Sequence, residues 1–333
     1  MNSSRSVSWL CVLFLLLLIL ALGAANTGAM KLSLPMLWQS GGDGSLWQIW
    51  FSIRLPRVLL AMLVGGALAL SGCVMQGLFR NPLADPGLLG ISSGAALAVA
   101  ISVVIPLSLP GALMLYLPLL AAFFGSLIVT LVIFVLSSKR SSGLSRLLLA
   151  GIAINALCGA AVGVLSWLSN DQQLRQLSLW GMGSLSQAQW PTVLPCASIV
   201  LPCMFLVQRL AQRLNLLQLG DEDAHYLGVN VARTQRYLLV LSALLVASAV
   251  AVSGVIGFIG LVVPHLMRFC LGGDHRWLLP SSLLGGAILL LLADTLARTL
   301  VAPAEMPVGL LTSLIGGPCF LWLILRRQGG SHG

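Results

Sequence analysis

Long apolar runs separated by short polar turns repeat along the whole chain. They lie at roughly 7–28, 57–79, 89–106, 112–136, 146–168, 190–208, 236–254, 256–271, 278–298 and 307–325. Each is long enough, or nearly so, to cross a bilayer, which takes roughly 20 helical residues. The pattern predicts an all-α polytopic membrane protein of about ten transmembrane helices, forming one transmembrane domain over residues 1–333 with both termini on one side. The seventh and eighth runs nearly touch at Ser253-Gly254, and the eighth contains Pro264, so a broken or tilted helix is expected there. The first run, Val7 to about Ala25, follows Arg5. It exceeds the roughly 7–15 apolar residues of a secretory signal, so a retained first helix is expected.

Composition and charge sharpen this reading. The chain is 58% hydrophobic and 8% charged, whereas soluble domains carry roughly a quarter charged residues; a soluble fold is excluded. The net charge of +9 reflects topology rather than nucleic-acid binding, because no basic patch interleaved with aromatics occurs. With the N-terminus inside, thirteen basic residues fall on the inner side and five on the outer, so both termini are expected to be cytoplasmic.

The five outer cations are Lys31, Arg54, Arg57, Arg175 and Arg298. Arg54 and Arg57 flank Leu55-Pro56 at the outer mouth of the second helix. Arg298 stands at the outer mouth of the ninth, one turn beyond Asp294, with which it can pair. Snorkelling would account for them. A cluster of outward guanidinium groups would also receive carboxylates of a soluble partner in bidentate fashion, and docking is the favoured reading.

The longest polar insert runs from about Arg209 to Arg236. Within it Asp221, Glu222 and Asp223 open a short segment through Ala224, and Gly228 closes it. Acids suit a helix N-terminus and glycine suits the left-handed position after its end, so a short cytoplasmic helix is predicted.

Several chemistries are disfavoured. A P-loop needs G-x-x-x-x-G-K-[ST], and the two lysines, Lys31 and Lys139, follow Met30 and Ser138; any ATPase must be another subunit. No acid stands unpaired in mid-helix, so proton or sodium coupling has little support. The histidines form no H-x-x-x-H or H-E-x-x-H pattern, and His265 reads as structural. The seven cysteines form no C-x-x-C pair and read as small hydrophobes. The chain is therefore expected to be no enzyme, with no metal site and no bound cofactor. The fifth helix carries Gly151, Asn155, Gly159 and Gly163 at four-residue spacing. Close packing through small residues and a substrate path with Asn155 as a polar contact are both open.

Specific strings go further: IRLPR at Ile53–Arg57, SGCVMQGLFRNPLADPGLLG at Ser71–Gly90, SRLLLAG at Ser145–Gly151, SGVIGFIGLVVPHLMR at Ser253–Arg268, LLADTLAR at Leu291–Arg298, and an ELPIG-like segment at Glu305–Gly309. From about Leu46 to Arg327 the chain resembles the iron-siderophore, haem and vitamin B12 permeases of type II ABC importers. The resemblance implies a homodimer of ten-helix subunits in the bacterial inner membrane, with the substrate path along the dimer axis. Two cytoplasmic ATPase subunits, using ATP and Mg, would drive it, and a periplasmic binding protein would deliver the ligand. It implies that Arg54, Arg57 and Arg298 receive acids of that binding protein, and that Asp221, Glu222, Asp223, Ala224 and Gly228 meet the ATPase. It places Asn81 and Leu83, with Leu144 and Ser145, in the cytoplasmic gates, and Gly151, Asn155 and Gly159 along the path. His265 belongs to a shared P-H-x-x-R pattern. The segment Leu174–Leu185 resembles the outer loop of Gram-negative haem permeases, which points to haem; a ferric siderophore or cobalamin is the alternative cargo. An ion-coupled secondary transporter is a distant rival, and a membrane-embedded enzyme is more distant still.

Overall fold

The computed structural model describes residues 3–27, 44–105, 110–137, 143–301 and 304–328, and among these all regular structure is helical. The long helices are α1 (Ser3–Asn26), α2 (Leu55–Leu78), α3 (Ile91–Val104), α4 (Gly111–Ser137) and α5 (Gly143–Leu168). They continue with α6 (Trp190–Arg209), α7 (Val231–Ser253), α8 (Ile259–Leu271), α9 (His275–Thr299) and α10 (Val308–Gln328). Seven described helices are long and apolar enough to span a bilayer; α3 and α8, at 14 and 13 residues, and the apolar stretch Val308–Leu321 of α10 are shorter.

The core forms around α2, whose residues are buried almost continuously from Ala67 to Leu78. Glycine makes this possible. A Cβ at Gly65 would lie 2.3 Å from the Gly286 carbonyl oxygen of α9, and one at Gly72 would lie 1.9 Å from the Gly260 oxygen of α8. In lipid, where apolar surface gives no net drive between helices, such close backbone approach supplies the packing energy. Helices α7 and α6 close the remaining sides of α2, and α3 pairs with α4 beside them. Helices α1, α4 and α5 are peripheral, with few buried side chains.

Several boundaries differ from the sequence expectation. The helix predicted from residue 57 is extended backwards by a π-helical turn, Trp50–Arg54, and a short helix, Ser45–Ile49. A 3-10 turn, Pro86–Leu89, precedes α3. Where a broken or tilted helix is expected, the chain breaks at residues 254–258, where Gly254 and Phe258 both have φ of 68°, and α8 then runs through Pro264 without interruption. Proline removes the N–H that would bond the carbonyl four residues back. Gln76 of α2 replaces that donor, its Nε2 lying 3.3 Å from the Gly260 oxygen and 3.2 Å from that of Leu261. A further short helix, Asp171–Gly181, was not expected, being too polar to read as a span. Its start is a reciprocal cap: Asn170 Oδ1 accepts from the Gln173 N–H at 2.9 Å, and Gln173 Oε1 from the Asn170 N–H at 3.0 Å. The cysteines are free; Cys73, Cys158, Cys196 and Cys203 are buried as expected of small hydrophobes, while Cys11 and Cys270 are exposed.

Candidate functional site

At the α2 C-terminus the chain reverses through Phe79-Arg80-Asn81. The Arg80 N–H donates to the Gly77 oxygen at 3.3 Å and the Asn81 N–H to the Gln76 oxygen at 3.2 Å, the two-bond Schellman closure of a helix end. The helix Asp221–Tyr226 closes in the same way: the Gly228 N–H donates to His225 at 2.9 Å and the Val229 N–H to Ala224 at 3.0 Å. Both closures put their pivotal residue in the left-handed region, Gly228 at φ 86° and Arg80 at φ 50°. Glycine does so freely, whereas a residue with a Cβ gives up roughly 1–2 kcal/mol.

The Arg80 side chain spans two segments of the polar insert. Its Nε donates to the Leu217 carbonyl at 2.8 Å, and its Nη2 pairs with the Asp221 carboxylate. Leu217 ends the short helix Ala211–Leu217, whose buried Leu214 and Leu217 pack it onto the bundle. Gln218 donates its side-chain amide to the Gly77 carbonyl. Asn215 donates to Asp274 at 2.7 Å and accepts the His275 N–H at 2.8 Å. Asp274 caps α9, and its side-chain hydrogen bond to Arg276, helped by the Arg276 N–H and Asn215, holds its carboxyl at about 2.

The predicted short helix is present, with its three acids in the first turn. Asp221, Glu222, Asp223 and Gly228 are exposed, and Tyr226 is 86% exposed. Ala224, expected among the contact residues, is instead fully buried and anchors the helix to the bundle. Asp221, Glu222, His225, Tyr226 and Asn230 line an open groove of about 740 Å³.

Asn81 and Leu83 lie in the turn after Arg80, both exposed, with the Leu83 N–H donating to Asn81 Oδ1 at 2.9 Å. Asp85 caps the following 3-10 turn by accepting the Gly87 N–H at 2.6 Å; burial pushes its carboxyl up, against that hydrogen bond. Leu144 and Ser145 lie on the first turn of α5, and their side chains fall outside the described residues. Asn155 of α5 is half-buried; it donates to the Gly87 carbonyl at 3.3 Å and accepts the Ser93 hydroxyl. Its amide thus ties α5 to the turn. Gly151 is buried, but a Cβ at Gly159 or Gly163 would meet nothing within 4 Å, so that spacing does not serve packing within the chain.

At the opposite end the arginines are drawn inward. Arg57 grips Asp294 with Nε at 3.1 Å and Nη2 at 3.0 Å, and holds Glu305 with Nη1 at 3.0 Å. Arg298 pairs with Asp294 at 3.2 Å. Arg54 donates to the Ala25 carbonyl at 3.2 Å, and Arg298 to Thr27 at 3.2 Å and Ala24 at 3.3 Å. These carbonyls lie at the α1 C-terminus, where a cation also favours the helix dipole. The arginines expected at the docking surface are engaged within the chain: Arg54 and Arg57 are buried, and the Arg298 side chain is 8% exposed. The accessible member of the network is Glu305, 47% exposed. Nearby, the Ser184 N–H donates to Ser253 at 2.8 Å and the Gly309 N–H to Gly183 at 3.2 Å, so the loop ending at Leu185 meets the ends of α7 and α10. His265 is buried edge-on to Phe269, ring centroids 4.9 Å apart, in keeping with a structural role.

Sequence reasoning missed Arg80 and Glu305. The available signals were an arginine where a helix end favours glycine, and an acid just before the turn into the last helix.

The FecCD transport family model matches residues 12–326. The hemin transport system permease protein HmuU of Yersinia pestis is 67% identical over 316 residues, covering 95% of each chain. The vitamin B12 import system permease protein BtuC of Klebsiella pneumoniae is 41% identical over 332 residues, covering 99% of this chain and 97% of its own. A solved inward-facing metal-chelate-type ABC transporter superposes with a TM-score of 0.87 at 37% identity, over 95% of this chain and 98% of that one.

Proposed function

The chain belongs to the FecCD transport family and has the fold of a type II ABC importer permease, and we propose that it carries haem from periplasm to cytoplasm across the bacterial inner membrane, driven by a separate ATPase. The observation that carries the cargo is the gap between 67% identity to a hemin permease and 41% to a vitamin B12 permease over nearly the same length. A chain that shares two thirds of its residues with a relative shares more of the side chains that can meet a cargo than one that shares two fifths.

Two copies form the pathway. The exposed apolar surface of α5, with open positions at Gly159 and Gly163, supports a second copy seated there. A periplasmic binding protein docks at the end holding Arg54, Arg57 and Arg298. One ATPase per subunit, holding the ATP and Mg, docks at the exposed acids Asp221, Glu222 and Asp223 and at Gly228, with Ala224 as the inward anchor. Both termini are cytoplasmic. ATP binding closes the ATPase pair; the short helix moves; the gates at Asn81, Leu83, Leu144 and Ser145 change state; and Gly151, Asn155 and Gly159 border the path. The chain itself binds no cofactor, in keeping with its lack of a P-loop lysine.

The test is uptake into proteoliposomes holding this chain, its ATPase and its binding protein, with haem, a ferric siderophore and cobalamin offered in parallel. Haem is expected to accumulate selectively. Accumulation of cobalamin or the siderophore in its place would overturn the cargo and leave the importer standing.

A further inference from the structure

We propose that Arg80 is a positioning residue that couples the helix Asp221–Tyr226 to the turn carrying Asn81 and Leu83. This rests on the reading of that helix as the ATPase contact and of that turn as a gate.

The backbone at Arg80 favours glycine, and the chain uses glycine at the equivalent position of its other such closure, Gly228. An arginine kept at an unfavourable backbone position points to work done by its side chain. That work is not a large gain in stability. The two partners of the Arg80–Asp221 pair are 40% and 55% exposed, and exposed pairs contribute little to folding.

The geometry is that of a strut. Gln218, Leu219 and Gly220 link the two short helices, and Gly220 has φ of 133°. Arg80 holds the Leu217 carbonyl on one side of this joint and the Asp221 carboxylate on the other. Asp221 also faces Gln235 of α7, whose amide lies 3.5 Å away, so the helix has a second and longer tie. The residue after Arg80 is Asn81, whose N–H completes the closure and whose side chain fixes Leu83. Displacement of Asp221 therefore reaches Leu83 through one side chain and two residues of backbone.

The experiment compares the unaltered chain, Arg80→Gly and Arg80→Lys in full complexes. Cargo taken up per ATP hydrolysed is measured in proteoliposomes, alongside retention of the ATPase on size exclusion. The cargo is whichever of haem, siderophore or cobalamin the unaltered complex accumulates, so an error in cargo does not touch the outcome. Arg80→Gly relieves the backbone and is expected to keep the fold and the ATPase while lowering uptake per ATP about tenfold. Arg80→Lys keeps a cation at this position and is expected to recover part of the loss. Unchanged uptake per ATP in Arg80→Gly would overturn the proposal, as would loss of the ATPase in step with uptake, or no recovery in Arg80→Lys. Failure of ATP to drive any uptake by the unaltered complex would overturn the function reading, and this proposal with it.

Discussion

The two ends of the bundle each carry an arginine–carboxylate link, and the links are built for opposite purposes. At one end Arg57, Arg298, Asp294 and Glu305 form a network in which Asp294 is 1% exposed and is gripped by two guanidinium groups. At the other, Arg80 and Asp221 meet at the surface, held by a backbone conformation that favours glycine. A buried charge that loses its partner is costly, so the first network fixes α2, α9 and α1 relative to one another. The second link is cheap to break and sits where two short helices join. The first end is a clamp and the second a joint.

The sharpest way to break this contrast is Asp294→Ala. It leaves Arg57 and Arg298 buried without their shared carboxylate and is expected to cost about 3–5 kcal/mol. A thermal melt in detergent checks it; a shift no larger than that of Asp221→Asn would erase the distinction between clamp and joint. Gly228→Pro comes next. Proline cannot adopt φ of 86° and removes the N–H that bonds His225, so the helix end is lost. Uptake per ATP is expected to fall at least tenfold with the bundle intact, as read by transport assays beside size exclusion. Glu305→Gln is milder. It removes the carboxylate charge that competes with an incoming carboxylate for the Arg57 guanidinium while leaving the Arg57–Asp294 pair in place. Tighter docking of the binding protein, by a few-fold in a surface-binding assay, is expected; weaker docking would remove the arginines from that interface.

The smallest effect is in acid. Asp274 is held at about 2, below the roughly 3.9 of an unfolded aspartate. A depressed carboxyl contributes stability that is fully present above the unfolded value and is lost as pH falls through the folded one. The melting temperature should therefore drop slightly more between pH about 4 and about 2 in the unaltered protein than in Asp274→Asn. Because Asp274 is partly exposed, the difference should be small.

The apolar runs made the long helices legible, because a bilayer imposes length and hydrophobicity locally. The short helix at Asp221 was legible for a similar reason: acids at its start and Gly228 at its end act within a few residues. What escaped the sequence depends on distant partners. Pro264 marked the eighth run as a place for a broken or tilted helix, but Gln76, 184 residues from Gly260, supplies the missing donor and the helix continues. The outer arginines stood out as exceptions to the charge bias, yet the carboxylates that claim Arg57 lie 237 and 248 residues away. Arg80 looked ordinary because the left-handed backbone beneath it is set by a helix end whose closure only the fold reveals.

The energy source separates an ATP-driven importer from an ion-coupled carrier. Cargo uptake would be followed in proteoliposomes containing the chain, its ATPase and its binding protein, with ATP on the ATPase side and with or without a protonophore. Uptake that requires both ATP and the binding protein, and that persists when the proton gradient is dissipated, is the predicted result. Uptake that proceeds without ATP and collapses with the gradient would contradict the account and make the chain an ion-coupled transporter.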